Sequence, residues 1–276
     1  MKYTREKGVI AIDTNASPIH LAIAEVSKNG ELLSYQTISL HNLLGLSQNS
    51  KDHQERILAH QIVNLAIQKG KAIAIENLKK PRKGMRGDGK ATLRKRLHQW
   101  NAKKFLQKLK RVARLKGVEV IEINPAYTSV IGMLKYAPQL NIDKDIAGVY
   151  VIGRRALGFK EDTPENYEKL LKDKTYLEFV LKRYEEREKE LTELLEKETN
   201  EYKRNALKSE LKNVQNGKKL LVHLVQSLRS EPSGCEGANG RNPAWQVLKV
   251  ALLFPILGKV LPRDLSPLKQ VLVEGV

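Results

Sequence analysis

Three acidic positions in the chain fall where predicted elements end or begin. Asp13 closes one strand pattern, Glu76 closes another, and Asp143 or Asp145 stands at the start of a helical pattern. If the two strands are neighbours in a sheet, their carboxylates come together and the helix can add the third. Carboxylates held together repel unless cations neutralise them, and Mg²⁺ prefers carboxylate and phosphate oxygens. The pattern therefore suits two-metal phosphodiester hydrolysis, in which ions about 4 Å apart activate water and stabilise the leaving oxygen.

Each acid also has a purely structural interpretation. Asp13 could shape a turn with the residues that follow it, and Glu76 could be the solvated end of a strand. Asp143 could be a helix N-cap that supports Asp145. Three acids at matching positions beside a strongly basic segment favour the chemical interpretation.

The elements that must position these acids follow a definite order. Strand patterns cover residues 8–14, 20–27, 31–40, 71–76 and 118–123, and helical patterns cover residues 52–68, 92–116 and a segment from 143 or 145 to 157. The Asn29-Gly30 pair predicts a hairpin between the second and third strands. An antiparallel meander followed by helix, strand, helix, strand and helix is the order of the ribonuclease H fold. We therefore expect an α/β domain over residues 1–160, with a mixed five-stranded sheet and flanking helices.

The remainder of the chain has a different composition. Leucines at helical spacing predict a long antiparallel helical hairpin over residues 161–230. Such a stripe usually forms the core of its own hairpin, and a homodimer seam is the alternative. Residues 231–276 are predicted to be a Gly-rich linker and a C-terminal helical tail, for which the sequence indicates no function.

The net charge indicates a polyanionic partner such as DNA. The 276 residues carry 49 Lys+Arg against 31 Asp+Glu, and residues 69–116 hold 18 of the basic residues with only two acids. Neutralised phosphates release counterions, so a basic face adds affinity without sequence preference; a solvated basic face is the alternative. Trp100 and Tyr127 could stack on bases, whereas Phe105 is expected to pack in the core. The expected nucleic-acid-binding residues are Lys79, Lys80, Arg82, Lys83, Arg86, Arg94, Arg96, Trp100, Lys103, Lys104 and Tyr127.

Composition also excludes several classes of protein. The single cysteine, Cys235, rules out a disulfide framework and a cysteine-based zinc site, so we expect no structural zinc. The chain starts without the apolar segment of a signal peptide, and no apolar run is long enough to span a bilayer. We expect a cytoplasmic, nucleoid-associated prokaryotic protein without a membrane partner.

Several segments resemble the motifs of RuvC-type nucleases. IAIDTNASPIHLAIAEV resembles the first motif, AIAIENLKK the second, and the path from VEVIEINPAYTS into DKDIAGVYVIGRRALGF the third. Together, residues 8–160 resemble the transposon-encoded TnpB family, which is related to the type V CRISPR effector nucleases. The resemblance implies a DNA endonuclease whose catalytic acids Asp13, Glu76 and Asp145 bind two Mg²⁺ or Mn²⁺ ions, with Asp143 as an alternative ligand. Guide RNA or a separate RNA-binding subunit would be a further partner.

The sequence departs from that family in ways that keep other functions open. The family's zinc ribbon is missing, and the Asn of its Asp-x-Asn-Ala-Ala motif is absent after Asp145. A catalytically weak or inactive nucleic-acid-binding transposon accessory protein is therefore one alternative. A Holliday-junction resolvase-like nuclease, dimeric through the hairpin, is another. An actin-like phosphotransferase is disfavoured because no glycine follows Asp13 to admit nucleotide phosphates.

Overall fold

The computed structural model describes residues 1–16, 19–78, 101–227 and 243–253. These residues fall into two compact units, the first extending to Glu161 and the second starting at Asp162. None of the described helices is long and apolar enough to cross a membrane.

The first unit is built on a mixed sheet of five strands. They are β1 (Val9–Ala16), β2 (Ile19–Val26), β3 (Leu32–Ser39), β4 (Ala72–Glu76) and β5 (Val120–Ile123). The order across the sheet is β3-β2-β1-β4-β5. The pairs β1–β2 and β2–β3 are antiparallel, whereas β1–β4 and β4–β5 are parallel. The predicted α/β class with a mixed five-stranded sheet is thereby confirmed, and so is the adjacency of the first and fourth strands.

Helices cover both faces of this sheet. They are α1 (Gln48–Lys69), α2 (Ala102–Leu115), α3 (Thr128–Ile131), α4 (Ala137–Leu140) and α5 (Lys144–Ala156), with a π-helical turn at Gly132–Tyr136 between α3 and α4. Helix α1 begins four residues before the predicted start because the Ser47 hydroxyl accepts a hydrogen bond from the Ser50 N–H at 3.3 Å. It ends as predicted at Gly70, whose φ of 67° is left-handed. The predicted start of the basic helix, residues 92–100, lies outside the described residues.

The two faces of the sheet carry side chains of different size. On one face, isoleucines of β1 and β4 pack against α1 and α2 in a large apolar cluster that includes the fully buried Phe105, which confirms the core interpretation of that residue. On the other face, α5 lies very close to the strands. A Cβ added at Gly153 would be 2.5 Å from Val26 Cγ2 and 3.2 Å from Ala11 Cβ, so glycine is required there. Because strand side chains alternate, Asp13 lies on the same face as Ala11, towards α5.

The second unit is helical over its described residues. It contains α6 (Glu165–Lys172), α7 (Lys174–Lys197), α8 (Glu201–Ser227) and α9 (Pro243–Leu248), followed by a π-helical turn at Lys249–Leu253. Helices α7 and α8 pack as an antiparallel hairpin, and their apolar stripes form the unit's own core, with buried members Leu177, Val180, Tyr184, Leu191, Val214 and Leu221. The Tyr184 hydroxyl donates to the Val250 carbonyl at 2.9 Å, which ties the last turn to the hairpin. Residues 228–242 and 254–276, which include most of the predicted linker and tail, lie outside the described residues.

Candidate active site

Asp13 does not close its strand as predicted, because β1 continues to Ala16 beside β2, whereas β4 ends at Glu76; both acids lie where the parallel pairing of β1 with β4 stops. The parallel register pairs Ile12 with Ile75, so the next residues, Asp13 and Glu76, come opposite each other. Each acid stands two residues after one of the paired alanines Ala11 and Ala74, which face α5. Because strand side chains alternate between the two faces, both acids lie on the α5 side of the sheet. Both carboxyl residues are half-buried. The structure thus brings together the first two predicted acids.

The third acid lies at the start of α5, and its carboxylate already contacts a histidine and a lysine. His20 Nε2 is 3.3 Å from Asp145 Oδ2, and Lys144 Nζ is 2.8 Å from Asp145 Oδ1. Asp143 is the N-cap of α5, and its carboxylate accepts the Asp145 N–H at 2.7 Å. The structure therefore gives Asp143 the capping role and leaves Asp145 as the acid of α5 that faces the two strand ends.

Asp13 interacts electrostatically with each of the other two acids. Burial raises the pKa of Asp13, and the nearby charge of Asp145 raises it further, against hydrogen bonds from Thr14 and Asn15. Burial also raises the pKa of Glu76, and with the negative charge of Asp13 brings it to about 7. Within the part of the chain that the structure describes, neither Asp13 nor Glu76 has a Lys or Arg nitrogen within ion-pair distance. No ion pair with a described residue therefore neutralises these two carboxylates, although the charge of the more distant Arg155 acts to lower the pKa of Glu76.

The loop after β5 forms one wall beside Glu76. The buried Thr128 hydroxyl donates to Glu76 Oε1 at 2.6 Å. Arg155 of α5 holds the loop by donating from Nη1 to the carbonyls of Asn124 and Ala126, the latter at 2.9 Å. Between Ala126 and Thr128, Tyr127 has a φ of 64°, a left-handed conformation that is unusual for a bulky side chain. Such strained residues are concentrated at functional sites, where the surrounding contacts hold them in place.

Four residues of this site were not predicted as site residues: His20, Thr128, Lys144 and Arg155. His20 lies at the start of β2, and Asn15 links it to Asp13, since Asn15 Nδ2 is 3.4 Å both from Asp13 Oδ2 and from His20 Nε2. The antiparallel turn that follows the first acid was a usable signal, because it returns residues near 20 to the level of residue 15. No comparable signal identified Thr128 and Arg155, which reach the site from distant parts of the chain.

The donor set fits a divalent cation that is only partly enclosed by protein. In the described ranges, no group of three or more His, Cys, Asp or Glu side chains is arranged to hold a metal ion. Mg²⁺, however, keeps several waters and is usually bound by one or two carboxylates together with substrate phosphates. Asp13 and Glu76 match that requirement, because both are half-buried carboxylates that form no ion pair with a lysine or arginine of the described ranges.

Of the expected nucleic-acid-binding residues, the structure describes three. Lys103 is exposed on α2, Tyr127 is half-buried in the loop beside Glu76, and Lys104 is paired with Asp52, Nζ to Oδ1 at 2.9 Å. The remaining eight, Lys79, Lys80, Arg82, Lys83, Arg86, Arg94, Arg96 and Trp100, lie outside the described residues.

Comparison with known proteins does not support the family that the motifs suggested. Residues 131–223 match the model of a family described as an uncharacterized protein conserved in archaea (DUF2192). No curated protein matches the chain. The match covers about a third of the chain, from the π-helical turn into α8, and includes Asp143 and Asp145 but neither Asp13 nor Glu76. The expected membership of the TnpB family is therefore wrong, because the family that matches is a different one.

Proposed function

We propose that the first unit is a divalent-metal-dependent nuclease with a ribonuclease H-like fold that hydrolyses phosphodiester bonds of DNA. Three features support the fold assignment: the strand order β3-β2-β1-β4-β5, the antiparallel orientation of β2, and a helix between each of the last strands in the chain. Asp13 and Glu76 lie where the parallel pairing of β1 with β4 stops, and Asp145 lies at the start of the helix that crosses these strands. Functional groups in such sheets gather where the strands end.

The observation that carries the proposal is the pair of carboxylates at Asp13 and Glu76. Leaving two half-buried acids side by side without a cation costs stability, so such a pair is a candidate functional site. A purely structural pair would be expected to have a lysine or arginine beside it, as the other buried glutamates of this unit do. Burial and, second, the negative charge of Asp13 raise the pKa of Glu76 to about 7, and the Thr128 hydrogen bond and the charge of Arg155 offset them only in part.

The residues around the pair have distinct roles in this proposal. A bound Mg²⁺ would polarise the phosphate and lower the pKa of the attacking water. Asp13 and Glu76 supply the carboxylate oxygens that bind it. Thr128 donates a hydrogen bond to Glu76 Oε1 and thereby fixes the orientation of the carboxylate, so that Oε2 is the oxygen left for the cation. Lys144 and His20 orient Asp145 towards the strand ends.

The decisive test compares the unpaired carboxylates with a paired one. Asp13→Asn and Glu76→Gln should each reduce Mg²⁺-dependent nicking of a supercoiled plasmid by about 10³-fold or more, because several kcal/mol of transition-state stabilisation are lost. Glu122→Gln, which removes an exposed carboxylate paired with Lys110, is the matched control and should cleave like the wild type. Wild-type rates in both Asp13→Asn and Glu76→Gln would refute the proposal.

A second candidate is a nucleic-acid-binding protein without hydrolytic activity. It is favoured by the state of Asp145, both of whose carboxylate oxygens are engaged, one by His20 and the other by Lys144. A titration with Mg²⁺ or Mn²⁺ separates the two candidates. The nuclease converts substrate once the cation is present, whereas the binder retains DNA at every cation concentration and leaves it intact.

A further inference from the structure

Helices α1 and α2 form a layer in which the acidic side chains are already paired. Lys104 and Lys108 of α2 each place Nζ 2.9 Å from Asp52 Oδ1, and Lys108 also pairs with Glu55. Twelve residues further along both helices, Lys116 Nζ donates to Asn64 Oδ1 at 2.7 Å. Equal separations on the two helices mean that they run parallel, side by side. Since α1 has no other acids and α2 has none, the layer keeps no unpaired negative charge.

The outward side of α2 retains a row of unpaired cations. Lys103, Arg111 and Arg114 are exposed and stand at positions i, i+8 and i+11, with the exposed Gln107 at i+4 between them. These spacings place all four on one stripe of the helix. Across the residues that the structure describes, none of the three cations forms an ion pair or hydrogen bond. We call Lys103, Arg111 and Arg114 the basic stripe.

We propose that the basic stripe binds the sugar-phosphate backbone of a nucleic acid. At 1.5 Å per residue, the stripe extends about 17 Å along the helix. Phosphates of one duplex strand follow each other every 3.4 Å along the axis, so the stripe matches about five of them. The chain before α2, residues 79–100, adds nine basic residues and one acid. The inference rests on the proposed function only for the identification of the polyanion as a nucleic acid.

Solubility alone does not explain this distribution of charge. The helical hairpin of the second unit is also solvent-exposed, yet its cations are interleaved with acids in the sequence, and several of them form ion pairs, as in Arg183–Glu186 and Arg187–Glu190. Mixed signs are the usual arrangement of a soluble surface. In the α1–α2 layer the acids are instead directed inwards to the lysines at the helix seam, and the outward cations remain available to a ligand.

The test measures binding in EDTA, so that cleavage plays no part. The probe is a fluorescein-labelled DNA duplex of roughly 20 base pairs, and a second arm uses the RNA duplex of the same sequence. The triple variant Lys103→Gln, Arg111→Gln, Arg114→Gln should weaken binding roughly 30- to 100-fold at physiological salt. It should also reduce the slope of log K against log salt by about 2.7, since each lost phosphate contact contributes about 0.9. A loss with both probes identifies the shared backbone as the ligand, and a loss with one identifies which nucleic acid is bound.

The control is Lys110→Gln, Arg183→Gln, Arg187→Gln, which removes the same charge at three cations that pair with carboxylates. Their partners are Glu122, Glu186 and Glu190, so binding should change by less than about threefold. Equal weakening by the two triple variants would show a nonspecific charge effect and overturn the inference, as would wild-type binding by both. Loss of DNA binding in a protein whose wild type never cleaves would uphold the stripe and refute the nuclease.

Discussion

Two groups of buried carboxylates in the first unit differ in how they are neutralised. Glu25, Glu55 and Glu161 are only 7%, 4% and 5% exposed, and each is held by at least one lysine or arginine. Asp13 and Glu76 lie between the same sheet and α5 without such a partner among the described residues. The difference shows in the pKa values. Burial acts to raise the pKa of Glu25, but hydrogen bonds from Lys71, Lys69 and Ser34 outweigh it and lower the pKa to about 2, whereas the pKa of Glu76 is about 7.

This contrast distinguishes carboxylates that stabilise the fold through ion pairs from carboxylates that are free to bind a cation. A buried charge with its own cation contributes to stability once the fold has formed, and removing either partner is costly. A buried pair without a cation lowers stability until a cation or a proton binds. Substitutions that neutralise one member of each group should therefore change stability in opposite directions.

The largest loss of stability is expected at Glu161. Its carboxylate accepts from Arg154 Nε at 2.6 Å, from Lys135 Nζ at 3.0 Å and from the Tyr136 hydroxyl. Glu161→Ala leaves these buried donors without their acceptor and should lower the free energy of unfolding by about 3–5 kcal/mol. Urea denaturation at neutral pH measures the change.

An exposed ion pair provides the control for Glu161. Glu122→Ala removes the partner of Lys110, and both side chains are more than a third exposed. Its cost should stay below about 1 kcal/mol. Equal losses in the two variants would mean that burial does not govern the value of these ion pairs.

The next effect is a pH dependence at Glu25. Its folded pKa of about 2 lies below the ordinary value of 4.5, so its contribution is complete above about pH 4.5 and disappears as the pH falls towards 2. A shift of this size corresponds to about 3 kcal/mol. Glu25→Gln should therefore unfold more easily than the wild type at pH 7 and match it near pH 2. A constant difference across this range would contradict the ion-pair explanation.

Much of this fold follows from local patterns in the sequence. Alternating apolar residues, the Asn29-Gly30 turn and the glycine after α1 predicted the strands, the hairpin and a helix end, because each depends on neighbouring residues. The start of α1 was misplaced because the capping hydroxyl of Ser47 lies before any apolar periodicity. Family membership was wrong, although the motif segments do occupy the two central strands and α5.

The site was predictable only where strand order determines it. Once β1 and β4 are neighbours in parallel register, Asp13 and Glu76 must meet, and the sequence suffices to pair them. Thr128 reaches Glu76 across 52 residues, and Arg155 reaches the carbonyls of the loop across about 30. Such contacts depend on how the helices pack against one another, for example at Gly132 of the π-helical turn, where a Cβ would lie 2.5 Å from the backbone nitrogen of Gly148 in α5. No local pattern encodes that packing.

A gain of stability is expected when Glu76 is neutralised. Its folded pKa of about 7 lies above the ordinary 4.5, so ionisation increasingly penalises the fold as the pH rises between these values. Glu76→Gln removes that penalty and should raise the free energy of unfolding by about 1–3 kcal/mol at pH 8, with little difference near pH 4. Thermal unfolding of both proteins across this range provides the measurement. If Glu76→Gln is instead less stable than the wild type at pH 8, Glu76 stabilises the fold as Glu25, Glu55 and Glu161 do, and the contrast between the two groups of carboxylates disappears.

The smallest effect concerns the hydroxyl that orients Glu76. Thr128→Val keeps the shape of the side chain but removes the donor to Glu76 Oε1, whereas Thr128→Ser keeps the donor and loses only a methyl group. Groups that orient a metal-binding carboxylate typically contribute 10- to 100-fold to metal affinity or activity. We expect Thr128→Val to weaken Mn²⁺ binding, followed by the Mn²⁺ paramagnetic resonance signal, by about tenfold and to slow cleavage similarly. The serine variant should stay within about threefold of the wild type, because the hydrogen bond that fixes the carboxylate is preserved. If valine and serine bind Mn²⁺ equally well, the hydroxyl serves the packing of the loop alone.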